Sequence, residues 1–169
     1  MYTKEQYFYI QEAIKFLYKS LEKVEDRSKP ELVHSLHVGF RLMNYGYSSD
    51  IVIAGFLHDV LEEGDYIGEV KKLFGAKILD LVKANTKDES LNTWQEKYEE
   101  LIPRVIAHSQ EAMIIKAVDI LDNFLYFLEV PNDLSKKKTH LLVDLFLKNL
   151  DSNEPPILEL RRLCDKQYG

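Results

Sequence analysis

Residues 48–64 have the sequence "SSDIVIAGFLHDVLEEG", and this stretch decides the fold. Capping residues open it, Gly64 closes it, and residues 51–57 are apolar or small throughout. Such a run fits a buried strand or a helix that is buried on most sides, and the caps and the length favour the helix. The segment then reaches His58, Asp59 and two further carboxylates. A core helix that ends on an imidazole and three acids indicates chemistry beyond packing.

The rest of the chain has helical spacing of apolar residues, and glycine (7) and proline (5) are sparse. Thr3 and Gln6 form the pattern of a capping box at the first helix. We expect breaks or bends at residues that stop or distort a helix, which are Gly46, Gly64, Gly75, Pro103, Pro131 and Pro155. No alternating pattern of useful length indicates strands. The sequence therefore predicts an all-α, single-domain helical bundle of about nine helices.

Composition limits the classes of function. The chain has 169 residues, 46% hydrophobic and 30% charged, as in soluble globular domains. Its net charge of −6 argues against a general nucleic-acid binder, which needs a basic face. One cysteine, Cys164, excludes an intrachain disulfide and a cysteine-based metal site. No signal-peptide pattern and no membrane-length apolar run are visible, so we expect a cytoplasmic protein.

Several residues of metal-ligand type lie on predicted helices. His34 and His37 share a helix face, and His34 lies beside the apolar stripe of that helix. Asp119 interrupts an apolar segment between Val118 and Ile120. Burying a carboxylate there is costly unless a positive group meets it. Asp119 therefore either faces solvent or is paired with a cation.

One arrangement explains these features together. His34, His58, Asp59 and Asp119 would converge on one divalent ion. Two imidazoles and two carboxylates suit Mn²⁺, Fe²⁺ or Zn²⁺. Open coordination positions would bind water and a substrate oxygen, and the ion would lower the pKa of that water. Taken alone, His34 could instead be a core-edge histidine bonded to a backbone carbonyl.

These residues carry a resemblance to the HD superfamily of metal-dependent phosphohydrolases. The segment "PELVHSLHV" (30–38) resembles the "PYxxHPxxVA" motif of the ppGpp hydrolases in that superfamily. The segment "AGFLHDVLEE" (54–63) resembles their "AALLHDxxED" motif. Two further segments, "LFGAKILDLVKANTK" (73–87) and "IKAVDILDN" (115–123), resemble "xFGxxVxxLVxxxTK" and "IKxADRLHN". The four matches keep the family's order and cover roughly residues 27 to 128.

The resemblance implies an HD domain over residues 1–169, with a core at 27–128 and a C-terminal helical extension at 134–168. It implies Mn²⁺ as the bound metal, with Fe²⁺, Zn²⁺, Co²⁺ or Ni²⁺ as alternatives. It also implies hydrolysis of the 3′-diphosphate of a guanosine nucleotide such as ppGpp, a small phosphorylated partner. Two other interpretations stay open. One is a nucleotidase acting on nucleoside monophosphates, and the other is a non-catalytic nucleotide-sensing module.

The resemblance also assigns roles to single residues. The metal ligands would be His34, His58, Asp59 and Asp119. The carboxylates that position or activate the attacking water would be Glu62 and Glu63. Substrate-binding residues would be Arg27, His37, Lys87, Lys116 and Asn123.

Other interpretations of these residues also stay open. Glu62 and Glu63 could be a solvated helix end, and Lys87 and Lys116 could be surface charges. Besides Glu63 for Asp, the departures from the family motifs that bear on the substrate are Ser35 for Pro, Ile120 for Arg and Asp122 for His. Aromatic residues of the first helix are interpreted as packing residues that could also form a homodimer contact, namely Tyr2, Tyr7, Phe8, Tyr9, Phe16 and Tyr18.

Overall fold

A computed structural model describes residues 1–22, 29–130, 133–148 and 150–168. Within these ranges the chain forms eight helices of at least eight residues and one helical turn of four residues, and it forms no strand. The elements are α1 (Lys4–Leu21), α2 (Glu31–Asn44), α3 (Ser49–Phe56), α4 (Val60–Glu63), α5 (Ile67–Asn85), α6 (Trp94–His108), α7 (Gln110–Glu129), α8 (Asp133–Leu147) and α9 (Pro155–Tyr168). The all-α prediction is confirmed.

The chain divides into two compact units, residues 1–86 and residues 87–169. Each unit has its own buried apolar core. Among the described residues, no helix combines the length and apolarity needed to cross a bilayer. The proposed bounds of one HD domain, with its core and C-terminal extension, stay a prediction.

The first unit is built around α3. This helix packs against α1, α2 and α5, and every residue in it except Asp50 is buried. Enclosure from several sides explains why its sequence is apolar at nearly every position instead of amphipathic. The N-terminus of α1 has the predicted capping box, in which Thr3 and Gln6 exchange hydrogen bonds. The buried-helix interpretation of residues 51–56 is therefore confirmed.

The prediction of one uninterrupted helix from residue 48 to residue 64 is wrong in one detail. Helix α3 ends at Phe56, and the backbone at Leu57 leaves helical geometry, with φ −101° and ψ 4°. The following backbone hydrogen bonds join residues three apart instead of four apart. They run from Val60 N to Leu57 O and from Glu62 N to Asp59 O, both at 3.0 Å. The imidazole Nδ1 of His58 contacts the carbonyl oxygen of Gly55, a group that an uninterrupted helix would use for its own backbone.

Predicted breaks at other positions have mixed outcomes. Gly46 follows α2 with φ +83°, and Gly75 bends α5 with φ +86°, a region that favours glycine. Helix α6 continues through Pro103, so the predicted division of the helix there is wrong, and the alternative of a kink stays a prediction. Leu101, Ile102 and Val105 are buried on either side of Pro103, and their packing holds both halves of the helix. Pro131 lies outside the described residues.

The second unit is built around α7, which packs against α6, α8 and α9. Its core joins apolar residues of α7 such as Ile120 and Phe124 to Phe146 of α8 and Leu160 of α9. Three ionisable residues of α7 are nevertheless buried, namely Lys116, Asp119 and Asp122. Polar residues on such a helix need partners inside the protein.

Candidate metal centre

Two histidines from different helices meet inside the first unit. His34 lies in the second turn of α2 and His58 lies in the turn after α3, and both are buried. Their Nε2 atoms are 3.3 Å apart, and the ring centroids are 5.2 Å apart. The two imidazoles therefore direct the same ring nitrogen at a common point.

The backbone of α3 sets the orientation of His58. Its Nδ1 lies 2.8 Å from the carbonyl oxygen of Gly55, and a carbonyl can only accept, so Nδ1 carries the hydrogen. In the neutral ring Nε2 then has a lone pair directed towards His34. A metal-binding histidine is commonly held in this way, with one nitrogen bonded to a carbonyl and the other on the ion.

Asp59 supplies a third donor atom. Its Oδ2 lies 3.1 Å from Nε2 of His58 and 3.8 Å from Nε2 of His34. The side chain of Asp59 is 14% exposed, whereas that of His58 is 0% exposed. The carboxylate therefore faces the more open side of the cluster, where a water molecule or a substrate oxygen could approach.

The three donors fit one divalent ion. Within the described part of the chain, this is the one group of three His, Cys, Asp or Glu residues whose ligand atoms lie within 4.8 Å of one another. The triangle with sides of 3.1, 3.3 and 3.8 Å has a point that is equidistant from its corners, at about 2.0 Å from each. That separation matches nitrogen and oxygen bonds to a borderline divalent metal. His34, His58 and Asp59 can therefore hold one divalent ion.

A second polar cluster lies on α7, in the second unit. Nζ of Lys116 is 2.9 Å from Oδ2 of Asp119, and Nδ2 of Asn123 donates to Oδ1 of Asp119 at 2.7 Å. Lys116 is 2% exposed and Asp119 is 7% exposed. Of the two alternatives for Asp119, exposure to solvent is wrong and pairing with a cation is confirmed. The cation in the structure is the ammonium group of Lys116, and a metal-binding role for Asp119 stays a prediction.

The other predicted site residues occupy varied positions. Glu62 and Glu63 are half-buried on α4, the turn that follows Asp59. His37 is exposed on α2, and Lys87 is half-buried at the start of the second unit. Arg27 lies outside the described residues. Their roles in catalysis or substrate binding stay predictions.

The three departures that bear on the substrate lie in buried surroundings. Ile120 is fully enclosed in the core of the second unit, and Asp122 is buried on the same helix. Ser35 is buried beside His34, and among the described residues its hydroxyl has no hydrogen-bond partner. None of these three residues belongs to the group of three metal-type ligands.

Sequence reasoning missed one part of the site, the backbone carbonyl of Gly55 that orients His58. An amino-acid sequence does not show which backbone carbonyl groups accept hydrogen bonds from side chains. The available signal was the position of His58 at the end of a helix. There the last carbonyls lack backbone partners and can accept from a side chain three residues later.

A helical protein with a His-His-Asp centre of this geometry belongs to the class of metal-binding helical domains. The family model described as "HD domain" matches residues 12–145, which is most of the chain. The chain belongs to the HD domain family.

The curated relatives that match carry related names. A guanosine-3′,5′-bis(diphosphate) 3′-pyrophosphohydrolase of Aquifex aeolicus (strain VF5) is 31% identical over 105 residues, covering 60% of this chain and 15% of the relative. The guanosine-3′,5′-bis(diphosphate) 3′-pyrophosphohydrolase MESH1 of Drosophila melanogaster is 32% identical over 111 residues, covering 64% of this chain and 62% of the relative. The chain therefore spans less than two thirds of the length of these curated relatives.

Two solved structures share the fold. A metazoan ortholog of SpoT that hydrolyses ppGpp aligns with a TM-score of 0.78 and 23% identity, covering 99% of this chain and 98% of the other. The protein lmo0812 from Listeria monocytogenes EGD-e aligns with a TM-score of 0.68 and 24% identity, covering 85% and 99%. At these identities the likeness concerns the fold alone.

Proposed function

We propose that this chain is a divalent-metal-dependent phosphohydrolase that acts on a nucleotide, with ppGpp as the favoured substrate. The observation that carries the proposal is the convergence of His34, His58 and Asp59 at 3.1 to 3.8 Å in an HD-family fold. The names of the matched relatives support the choice of substrate. In the proposed reaction, water attacks the phosphorus bonded to the 3′ oxygen, and this P–O bond breaks. The products are GDP and pyrophosphate.

The metal, when bound, would lower the pKa of a water molecule and offset phosphate charge. Mn²⁺ is the favoured ion, because a mixed set of imidazole and carboxylate donors suits it and the resemblance to the ppGpp hydrolases implies it. The buried imidazoles would fix the position of the ion from one side. Asp59, more exposed, would border the side open to substrate.

We propose that Glu62 accepts the proton of the attacking water, with Glu63 beside it. Both carboxylates lie on α4, within one turn of Asp59 and only partly shielded from solvent. A general base must come within hydrogen-bond reach of the water that it deprotonates, and α4 begins directly after Asp59. His37, Lys87 and Arg27 would offset the charge of the substrate phosphates.

Lys116 and Asn123 stay proposed substrate-binding residues, as the family resemblance implies. In the structure both contact the carboxylate of Asp119 on the same helix. We propose that the reaction takes place in the cytoplasm. We also propose that the chain forms a homodimer through exposed aromatic residues of α1.

The test measures the release of phosphate and of pyrophosphate from ppGpp, GTP and nucleoside monophosphates by metal-stripped protein, with added Mn²⁺ and with chelator. We expect turnover only with the metal and at least tenfold preference for ppGpp over GTP and nucleoside monophosphates. Preference for monophosphates would support the nucleotidase alternative instead. Nucleotide binding without turnover would support the sensing module.

Glu62→Gln separates catalysis from metal binding. The substitution removes a proton acceptor and keeps the size of the side chain, so we expect turnover to fall by about 10²- to 10⁴-fold with little loss of bound Mn²⁺. Glu69→Gln, at an exposed position of α5, is the matched control and should keep full activity. Wild-type rates in Glu62→Gln would reject Glu62 as the base.

A further inference from the structure

Helices α2 and α3 approach each other closely at Gly39. A β-carbon placed on Gly39 would lie 2.2 Å from Cδ1, 2.3 Å from Cε1 and 2.4 Å from Cγ of Phe56. Real β-carbons essentially never come within 3.0 Å of such atoms. The ring of Phe56 therefore occupies the space that any side chain at residue 39 would need.

Phe56 has little room to move away. Its side chain is fully buried, and its ring packs edge-on against Phe40, with centroids 5.2 Å apart and planes at 87°. A rigid ring in a close-packed core cannot yield as the end of a flexible chain can. A larger residue at Gly39 would therefore push the two helices apart.

Gly55 offers an instructive contrast on the same pair of helices. A β-carbon there would lie 2.2 Å from Cδ1 of Leu42, but the next atoms, from Leu42 and Val38, are at 3.6 Å. The clash involves one terminal methyl group, which can rotate about its χ2 bond. The steric demand at Gly39 is therefore the stricter of the two.

The contact lies next to the metal centre on both helices. Gly39 is five residues after His34 on α2, about 7.5 Å along the axis, and Phe56 is two residues before His58. Relieving the clash from 2.2 Å to an ordinary 3.4 Å needs a shift of 3.4 − 2.2 = 1.2 Å. Metal–ligand distances tolerate only about 0.2 Å. A shift of this size would separate two imidazoles that must share one ion.

We propose that Gly39 is a positioning residue for the metal centre. Its contact with Phe56 sets the separation of α2 and α3 at which His34 and His58 bind one divalent ion. The inference rests on the metal-binding part of the proposed function. The motifs that this sequence resembles have Ala at the position of Gly39 and Leu at the position of Phe56, so this chain differs at both partners of the contact.

The first measurement is the affinity of metal-stripped protein for Mn²⁺, obtained by competition with a metallochromic chelator. We expect Gly39→Ala to weaken binding by about 10- to 100-fold, the range typical of residues that support metal ligands. Gly68→Ala is the matched control, because a β-carbon at Gly68 meets no atom within 4 Å. Gly55→Ala should weaken binding by less than Gly39→Ala.

A compensating substitution distinguishes positioning from general destabilisation. We expect Gly39→Ala to weaken Mn²⁺ binding in the presence of Phe56 and to have no such effect in the Phe56→Ala background, which removes Cγ and the ring. The visible spectrum of bound Co²⁺, which reports ligand geometry, should change in Gly39→Ala and return in the double variant. A merely structural role would lower the melting temperature and leave the Mn²⁺ affinity and the Co²⁺ spectrum of the folded protein unchanged.

The outcomes separate this inference from the proposed function. Wild-type protein that binds no Mn²⁺ would refute the metal centre itself. Wild-type binding together with equal affinity in folded Gly39→Ala would overturn only the role of Gly39. If Gly39→Ala does not fold, the Phe56→Ala background decides alone. A tenfold lower Mn²⁺ affinity in Gly39→Ala/Phe56→Ala than in Phe56→Ala would then overturn the inference.

Discussion

Replacing Lys116 by Met probes the buried ion pair on α7. The side chains of Lys116 and Asp119 are 3% and 10% exposed, and Nζ lies 2.9 Å from Oδ2. Methionine keeps most of the apolar stem and removes the ammonium group. The substitution therefore leaves a buried carboxylate whose charge has lost its nearest cation.

The magnitude follows from this geometry. Removing one partner of a buried ion pair typically costs about 3–5 kcal/mol, because the other charge stays buried. Asp119 keeps its 2.7 Å hydrogen bond from Asn123, which offsets part of that cost. We therefore expect Lys116→Met to lower the free energy of unfolding by about 3 kcal/mol, at the lower end of the range.

Urea unfolding followed by circular dichroism measures this change. Lys136→Met, at an exposed position of α8, is the matched control and should stay within about 0.5 kcal/mol of wild type. The double variant Lys116→Met/Asp119→Asn should lose less than the sum of the single variants, with a coupling of about 2 kcal/mol. A loss below about 1 kcal/mol in Lys116→Met, or additivity in the double variant, would refute the reasoning.

Two further predictions concern single side chains, the buried Ser35 and the half-buried Cys164. Ser35→Ala should raise the free energy of unfolding by about 1 kcal/mol, because it removes a buried hydroxyl that has no hydrogen-bond partner among the described residues. A lower midpoint of urea unfolding in Ser35→Ala than in wild type would contradict this. Burial, with the carboxylates of Asp165 and Asp144, raises the pKa of the Cys164 thiol to about 11. The reactive thiolate forms only as the pH rises towards that value. At pH 8 iodoacetamide should therefore label Cys164 of the folded protein more slowly than that of the urea-unfolded chain, by a factor on the order of a hundred. Equal labelling rates would contradict this.

The fold was predictable where local chemistry decides it. Some features determine only the backbone within a few residues of their own position. These are the helical spacing of apolar residues, the Thr3–Gln6 capping box, and the glycines at residues 46 and 75. The error at Pro103 has a different origin, because packing of side chains on both sides of it overrides the local preference. The end of α3 at Phe56 was missed because it depends on a side chain bonding to a backbone carbonyl.

The sequence predicted the residue types that form the metal centre. It predicted less well which groups contact those residues. His34, His58 and Asp59 were found from their chemistry and order, and the structure brings them together. Asp119 is paired with a cation, as predicted, but a sequence does not choose between a metal and a lysine one turn away. Lys116 is three residues before Asp119 on the same helix, so the helical repeat could have suggested this pair.

The central claim is that His34, His58 and Asp59 together bind one divalent ion. Equilibrium dialysis against Mn²⁺ with elemental analysis tests it most directly, on wild type, Asp59→Asn and the exposed control Asp65→Asn. We expect one ion per chain in wild type and in the control, and a large loss of bound metal in Asp59→Asn. Wild-type metal content in Asp59→Asn, or no bound ion in wild type, would contradict the claim.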